Sequence, residues 1–237
     1  MEWRDEGVLL SARPHGETSV IAEVFTAAHG RHAGVVRGGA SRRQAAHLQP
    51  GAQVAATWRA RLDDHIGTFT LEPLWARAGV LADAGRLAAL SSACALLRLA
   101  LPERDPHLSL WQATVALFDA LEVGAPPWPN HYLRWELGLL EDAGFGLDLG
   151  SCAVTGATEG LAFVSPRSGR AVSRAGAGEW ADRLLPLPEA LRGGQDGTLQ
   201  GLTVTGHFLT RALSHAARDG TLPEARSRLV RALGGNA

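Results

Sequence analysis

The spacing of apolar residues changes near residue 80, and this change limits the folds that the chain can adopt. From Trp3 to about Leu74, apolar residues come in short runs rich in β-branched types, and turn signals such as Gly38-Gly39 separate the runs. The pattern predicts five strands, at about 6–11, 18–26, 31–37, 52–61 and 65–72. Five short strands at this spacing are typical of a small β-barrel.

Beyond about Leu81 the apolar residues recur every three or four positions, which is the period of an amphipathic helix. The apolar stripe predicted for the first helix consists of Leu87, Leu90, Cys94, Leu97 and Leu101. The stripe of the second consists of Leu108, Trp111, Val115 and Phe118, and that of the third of Leu133, Leu137 and Leu140. Further helices are predicted at about 198–218 and after Thr221. We therefore expect an α+β protein in which an N-terminal β-barrel precedes a helical bundle.

Basic charge is concentrated in the segment from Val24 to Leu62. The chain has 23 basic residues, all of them Arg, and a net charge of −1. The segment contains no Asp or Glu but includes Arg31, Arg37, Arg42, Arg43, Arg59 and Arg61. Such a run is often only a solvated face. The absence of carboxylates favours instead the interpretation that the segment binds a phosphate backbone, because Arg side chains form bidentate contacts with phosphate.

The centre of this segment has the features of a mobile basic loop. A predicted strand ends before Gly38-Gly39, and Arg42-Arg43 follow. Glycines let the main chain approach a ligand closely, so we expect the six arginines to form a DNA-binding face. The aromatic residues of the segment, Phe25 and Trp58, fit the core as well as they fit stacking on bases.

Several classes of enzyme are excluded by residue types. Because the chain has no Lys, it has neither a phosphate-binding loop of the G-x-x-x-x-G-K-[ST] kind nor a Schiff-base lysine. The G-x-S-x-G and H-E-x-x-H motifs are also missing. Asp63-Asp64 is predicted to lie at a hairpin tip, where turn chemistry favours Asp. We expect no catalytic residues.

The two cysteines and the apolar runs bear on location. Cys94 lies on the apolar stripe of the first predicted helix. Two cysteines, Cys94 and Cys152, are too few for a disulfide framework. The chain does not open with the pattern of a secretory signal, and its apolar runs are shorter than a membrane span. We expect a cytoplasmic protein that has no membrane partner.

The predicted third helix carries the most specific motif. Tyr132 to Leu140 is followed by Asp142 to Leu149 and then by Cys152. This series resembles the central signature of the RecO family of DNA recombination and repair mediators. The family's opening block is resembled, in the same order, by Glu17-Thr18-Ser19, Val24-Phe25-Thr26, Gly30 and Val35 to Ala40.

The resemblance implies a domain organisation. An OB-fold DNA-binding domain is expected at 1–76, a discontinuous helical domain at 77–150 and 178–237, and a small zinc-ribbon-like insertion at 151–177. It also implies the partners, which are single- and double-stranded DNA, RecR and the acidic C-terminal tail of the single-stranded DNA-binding protein.

The implied function is that of a mediator which binds and anneals DNA. With RecR and the single-stranded DNA-binding protein, such a mediator promotes recombinase loading in gap repair. The alternative is a non-catalytic adaptor that holds partner proteins and has incidental nucleic-acid binding. Replacing the basic residues separates the two, because only the mediator needs them.

The insertion departs from the family's metal-binding pattern. Family members with a metal carry two C-x-x-C pairs, which give zinc four thiolate ligands. Here Cys152-Ala153-Val154-Thr155 keeps only the first cysteine, and Val172 to Ala175 has none. Since a lone cysteine cannot hold structural zinc, we expect an insertion without metal ligands and a protein without a cofactor.

The third helix has a second apolar face, formed by Tyr132, Trp135 and Leu139 beside Arg134. If this face is exposed, it suits the partner tail, which ends in an apolar residue and a free carboxylate. The alternative is that the aromatic residues belong to the core, as they usually do at helical spacing. The four residues are the predicted partner-binding site.

Overall fold

The computed structural model describes residues 1–62, 65–217 and 219–234. The predicted hairpin tip at Asp63-Asp64 lies outside the described residues. The chain divides into two units, Met1–Ala125 with Pro223–Leu229, and Pro126–Leu222 with Val230–Ala237. Among the described helices, none is long and apolar enough to cross a membrane.

The first unit contains the five predicted strands. They are β1 (Glu2–His15), β2 (Ser19–Thr26), β3 (Gly30–Val36), β4 (Gln53–Arg59) and β5 (Thr68–Trp75). They close into a barrel in the order β1-β2-β3-β5-β4. The long strand β1 pairs with both β4 and β2, and its register shifts between Leu9 and Ser11. Strand β3 meets β5 in parallel, with Val35 opposite Thr68.

The barrel core follows the alternation of the strand sequences. Val54, Ala56 and Trp58 of β4 are all buried, as the period of two predicts. The indole N–H of Trp58 donates hydrogen bonds to the carbonyl oxygens of Ala33 and Ile66, at 3.3 and 3.1 Å. The largest aromatic residue of the core therefore has its polar atom satisfied.

Helices α1 (Arg42–Ala45), α2 (Ala84–Ala100) and α3 (Leu108–Val123) lie wholly within the first unit. The side chain of Leu90 lies so close to Gly51 that a Cβ there would be 2.5 Å away. Arg98 of α2 donates to Glu23 of β2 at 2.9 Å. The predicted domain boundary at residue 76 is therefore not the unit boundary, because α2 is packed on and ion-paired to the barrel.

The second unit contains α4 (Trp128–Asp142), α5 (Arg174–Ala177) and α6 (Thr198–Ala212), and the last helix of the chain is α7 (Glu224–Gly234). Helices α4 and α6 are in contact. Buried Glu136 accepts a hydrogen bond from Thr205, and the side chain of Leu133 lies against Gly201. The contact of α4 with α6 joins two segments of the second unit that are distant in the sequence.

A small three-stranded sheet also lies in the second unit. Its strands are β6 (Leu161–Val164), β7 (Ala171–Ser173) and β8 (Leu185–Pro186), in the order β7-β6-β8. The insertion predicted at 151–177 supplies only two of them. The third strand comes from the segment that was expected to belong to the helical domain at 178–237, so the sheet extends beyond the predicted boundary.

Candidate nucleic-acid interface

An open groove of about 720 Å³ lies where β3 and β4 end and β5 begins. Its charged lining consists of Arg37, Arg59 and Arg61, and no described lining residue is a carboxylate. Val35 and Gly67 also line it, and the backbone N–H of Val35 donates to the Gly67 carbonyl at 3.0 Å. The fold therefore brings together three arginines that come from two separate parts of the chain.

Arg42 and Arg43 are placed by the connection that follows β3. The backbone N–H of Ala40 donates to the carbonyl of Thr18 at 3.1 Å, which ties this connection to the turn between β1 and β2. Ser41 caps α1 by accepting a hydrogen bond from the backbone N–H of Gln44 at 3.4 Å. At the position of the expected basic loop, a turn therefore leads into a short helix on which both arginines are exposed.

The availability of these cations differs from one to the next. Arg37, Arg42, Arg43 and Arg61 are exposed and make no ion pair within the described part of the chain. Arg59 donates to Glu2 at 2.7 Å, and this hydrogen bond lowers the pKa of Glu2 and raises that of Arg59. Both of these side chains are exposed, so a phosphate oxygen can replace the carboxylate without a large change in solvation.

Arg31 does not join the groove, which corrects its assignment to the DNA-binding face. Its side chain is only 14% exposed and pairs with Glu23 at 2.9 Å and Glu103 at 3.5 Å. Its Nε–H donates to the Leu101 carbonyl at 2.9 Å. Both carboxylates lie outside the acid-free segment, so the local charge pattern could not reveal them. Arg31 therefore has a structural role.

The aromatic residues of the basic segment are in the core. Phe25 and Trp58 are buried, so neither is a stacking platform. His32 is also buried, and this burial lowers its pKa and favours the neutral ring. Outside the segment, Trp3 stacks on His29 with ring centroids 4.2 Å apart. Bases in the groove would meet aliphatic side chains rather than the core aromatics.

Sequence reasoning missed the loop that precedes β5. It assigned residues 65–72 to a strand, but β5 begins at Thr68, and His65 and Ile66 line the groove. Ile66 is an exposed apolar residue there. Arg104, from outside the basic segment, donates to the His65 carbonyl at 2.9 Å and holds the loop. Gly67, a glycine near the start of the predicted strand, was the available signal.

The predicted partner-binding face on α4 is wrong for three of its four residues. Tyr132, Trp135 and Leu139 are buried, and the two aromatic rings lie 5.7 Å apart. Arg134 alone of the four is exposed. The stripe that had been assigned to the core is less buried at Leu137. The aromatic residues therefore form part of the core of the second unit.

Comparison with known proteins identifies the family. The model of the Recombination protein O N-terminal domain matches residues 1–74, and that of the C-terminal domain matches residues 81–218. The chain belongs to the RecO family. The DNA repair protein RecO of Cereibacter sphaeroides (strain ATCC 17025) is 62% identical over 234 residues, covering 97% of each chain. Those of Dinoroseobacter shibae and Ruegeria sp. are 58% and 56% identical, covering 97% and 98% of each chain.

In this member of the RecO family, the cysteine of the insertion is surrounded by hydrogen-bond donors. The sulfur of Cys152 accepts from the Ser173 hydroxyl at 3.3 Å, from the Ser173 N–H at 3.2 Å and from the Thr155 N–H at 3.4 Å. These bonds, the Ser173 hydroxyl foremost, lower the pKa of Cys152 to about 6. No group of three or more metal-ligating side chains occurs within residues 1–62, 65–217 and 219–234. Structural zinc needs four ligating side chains, so the described residues around Cys152 do not fit a zinc site.

Proposed function

We propose that the chain is a recombination mediator that binds single- and double-stranded DNA at the groove and at α1. Five exposed arginines carry this proposal, namely Arg37, Arg42, Arg43, Arg59 and Arg61, and the described lining of the groove itself includes no carboxylate. Membership of the RecO family and the names of the relatives support a role in DNA repair and recombination. The strand order of the closed barrel is consistent with an OB-fold.

The activity proposed for this surface is strand annealing without covalent catalysis. Annealing needs counter-charge that lets two polyanions approach, and it needs contacts weak enough to permit a search for register. Exposed arginines meet both needs because each phosphate contact is individually weak and is sensitive to salt. Ile66 adds an apolar contact for bases within the same groove.

RecR and the tail of the single-stranded DNA-binding protein are the proposed partners for recombinase loading. Family membership alone supports them. The burial of Tyr132, Trp135 and Leu139 argues against the tail site on α4 that the sequence suggested. The proposal therefore keeps the tail as a partner and withdraws those residues as its site.

A salt titration of DNA binding tests the proposal. Five phosphate contacts on a single strand give a slope of log K against log salt of about −3.5, from roughly −0.7 for each contact. Replacing Arg42 and Arg43 by Ala should reduce the slope to about −2.1. Fluorescence anisotropy of a labelled single-stranded oligonucleotide measures both values.

The matched control is the double variant Arg134→Ala/Arg192→Ala, which removes the same charge from exposed positions of the second unit. It should keep the wild-type slope. Equal slopes of log K against log salt for both double variants would show that the groove and α1 are not the DNA-binding site. Full repair by the Arg42→Ala/Arg43→Ala protein in cells, despite lost DNA binding, would favour the adaptor function instead.

A further inference from the structure

A second groove, of about 380 Å³, lies on the first unit between the end of β5 and the end of α3. Its apolar lining consists of Leu74, Trp75 and Val123, which are 51%, 58% and 75% exposed. Single exposed apolar residues are common on protein surfaces, whereas three large ones within one concavity form an apolar patch.

The charge of this groove is opposite to that of the DNA-binding groove. The charged lining residues are Asp119 and Glu122, and no described lining residue is basic. Asp119 pairs with Arg77, whose side chain is buried, whereas the Asp119 side chain is 64% exposed. Glu122 uses one carboxylate oxygen, Oε2, to accept the Gly79 N–H at 2.9 Å. The groove therefore presents carboxylates to solvent and suits a cationic ligand.

The edge of β5 that faces away from β4 also bears on what the groove can bind. Strand β5 pairs with β4 along its length, from Thr68 opposite Arg59 to Trp75 opposite Gln53. With β3 it pairs only at Thr68. Within the described residues, no strand pairs with the other edge of β5 between Phe69 and Trp75. A short extended segment can add to such an edge through main-chain hydrogen bonds.

We propose that this groove docks a short extended segment of another protein, one that places a large apolar side chain next to an Arg or Lys. The apolar side chain lies against Trp75 and Val123, and the cation meets Glu122 and the exposed side of Asp119. The negative charge excludes a nucleic-acid backbone from the groove, so this site is independent of the DNA-binding function proposed above.

Selection from a random 12-residue peptide library displayed on phage tests this inference. The full-length protein is the target, and the library is first depleted on the Trp75→Ser/Val123→Ser variant. Depletion removes peptides that bind elsewhere, including acidic peptides held by the arginine groove. The enriched peptides should share an apolar residue adjacent to Arg or Lys. Recovery of peptides without a basic residue, or no enrichment after depletion, overturns the proposal.

Calorimetric titration of the most enriched peptide then measures each contact. Val123→Ser should weaken binding by about tenfold or more, since it removes an apolar contact from the groove. Glu122→Gln keeps an acceptor for Gly79 but removes a charge, so binding should weaken by about threefold to fivefold. Leu108→Ser, at an exposed apolar position outside the groove, is the control and should bind like the wild type.

Two further results would contradict the inference. The first is equal peptide affinity for Val123→Ser and the wild type, with both proteins shown to be folded by their melting temperatures. The second is self-association in sedimentation that disappears in the Trp75→Ser/Val123→Ser variant. That result would make a second copy of the chain the occupant of the groove.

Discussion

Replacing Arg31 separates a structural arginine from the DNA-binding ones. Arg31 and Arg37 are both in the basic segment, and either change to Ala removes one positive charge. The structure places Arg31 against Glu23 and Leu101, whereas Arg37 lines the groove. We expect Arg31→Ala to lower the free energy of unfolding and to leave the salt dependence of DNA binding unchanged. Arg37→Ala should leave the free energy of unfolding nearly unchanged and should reduce the salt dependence of DNA binding.

The magnitude follows from the bonds that Arg31 loses. Its bond to Glu23 is charge-assisted and nearly buried, which is worth about 1.5–3 kcal/mol. Glu23 keeps two hydrogen bonds from Arg98, at 3.1 and 2.9 Å, so the loss lies toward the lower end of that range. The Leu101 carbonyl also loses its donor, which costs about 1 kcal/mol. The total is about 2–3 kcal/mol.

Two measurements on the same samples decide between the roles. Urea unfolding followed by circular dichroism gives the free energy, and anisotropy gives the salt slope. Arg37→Ala should change the free energy by no more than about 0.5 kcal/mol and the slope by about 0.7. If Arg31→Ala instead reduced the slope by that amount at unchanged stability, the structural role of Arg31 would be refuted.

Three other outcomes are expected. Burial opposes ionisation of Glu23, but hydrogen bonds and charge from Arg98, helped by Ser11 and Arg31, lower its pKa below 4.5. The stability that ionised Glu23 contributes is therefore complete above about pH 4.5 and is lost as the pH falls through the lowered pKa. The difference in unfolding free energy between wild type and Glu23→Gln should narrow over that range; a constant difference would contradict this. Trp135→Ala should cost about 3–5 kcal/mol, and Arg134→Ala less than about 0.5 kcal/mol, in the same urea assay. Metal analysis should find no stoichiometric zinc, and a chelator should leave the melting temperature unchanged; one zinc per chain would show that Cys152 has other ligands.

The strands were predictable from the sequence because alternation and turns are local signals. All five predicted barrel strands are present, although β1 begins at Glu2 and β5 at Thr68. The presence of the long helices was predictable for the same reason. The buried face of α3 was not predictable: Leu108 is exposed, while Leu110 and Leu121 are buried. Both faces of α3 are apolar, so periodicity alone could not choose between them.

The candidate site was predictable only in part, and the reason is long-range pairing. The charge pattern found Arg37, Arg59 and Arg61, which the fold brings into one groove. It also included Arg31, because its partners are set by the fold: Glu23 lies on the neighbouring strand β2, and Glu103 is distant in the sequence. On α4, buried Glu136 accepts a hydrogen bond from Thr205 of α6, a partner that no helical pattern within α4 could indicate.

The packing of α2 on the barrel has a consequence for how the chain can be divided. The region matched by the N-terminal family model ends at residue 74, well inside the first unit. A fragment ending at residue 76 would remove Leu90 from Gly51 and Arg98 from Glu23. Such a fragment would expose an apolar surface and leave Glu23 without its main counter-ion. We therefore expect the barrel and α2 to unfold together, so that the most protected amides of both should exchange their hydrogens at similar rates.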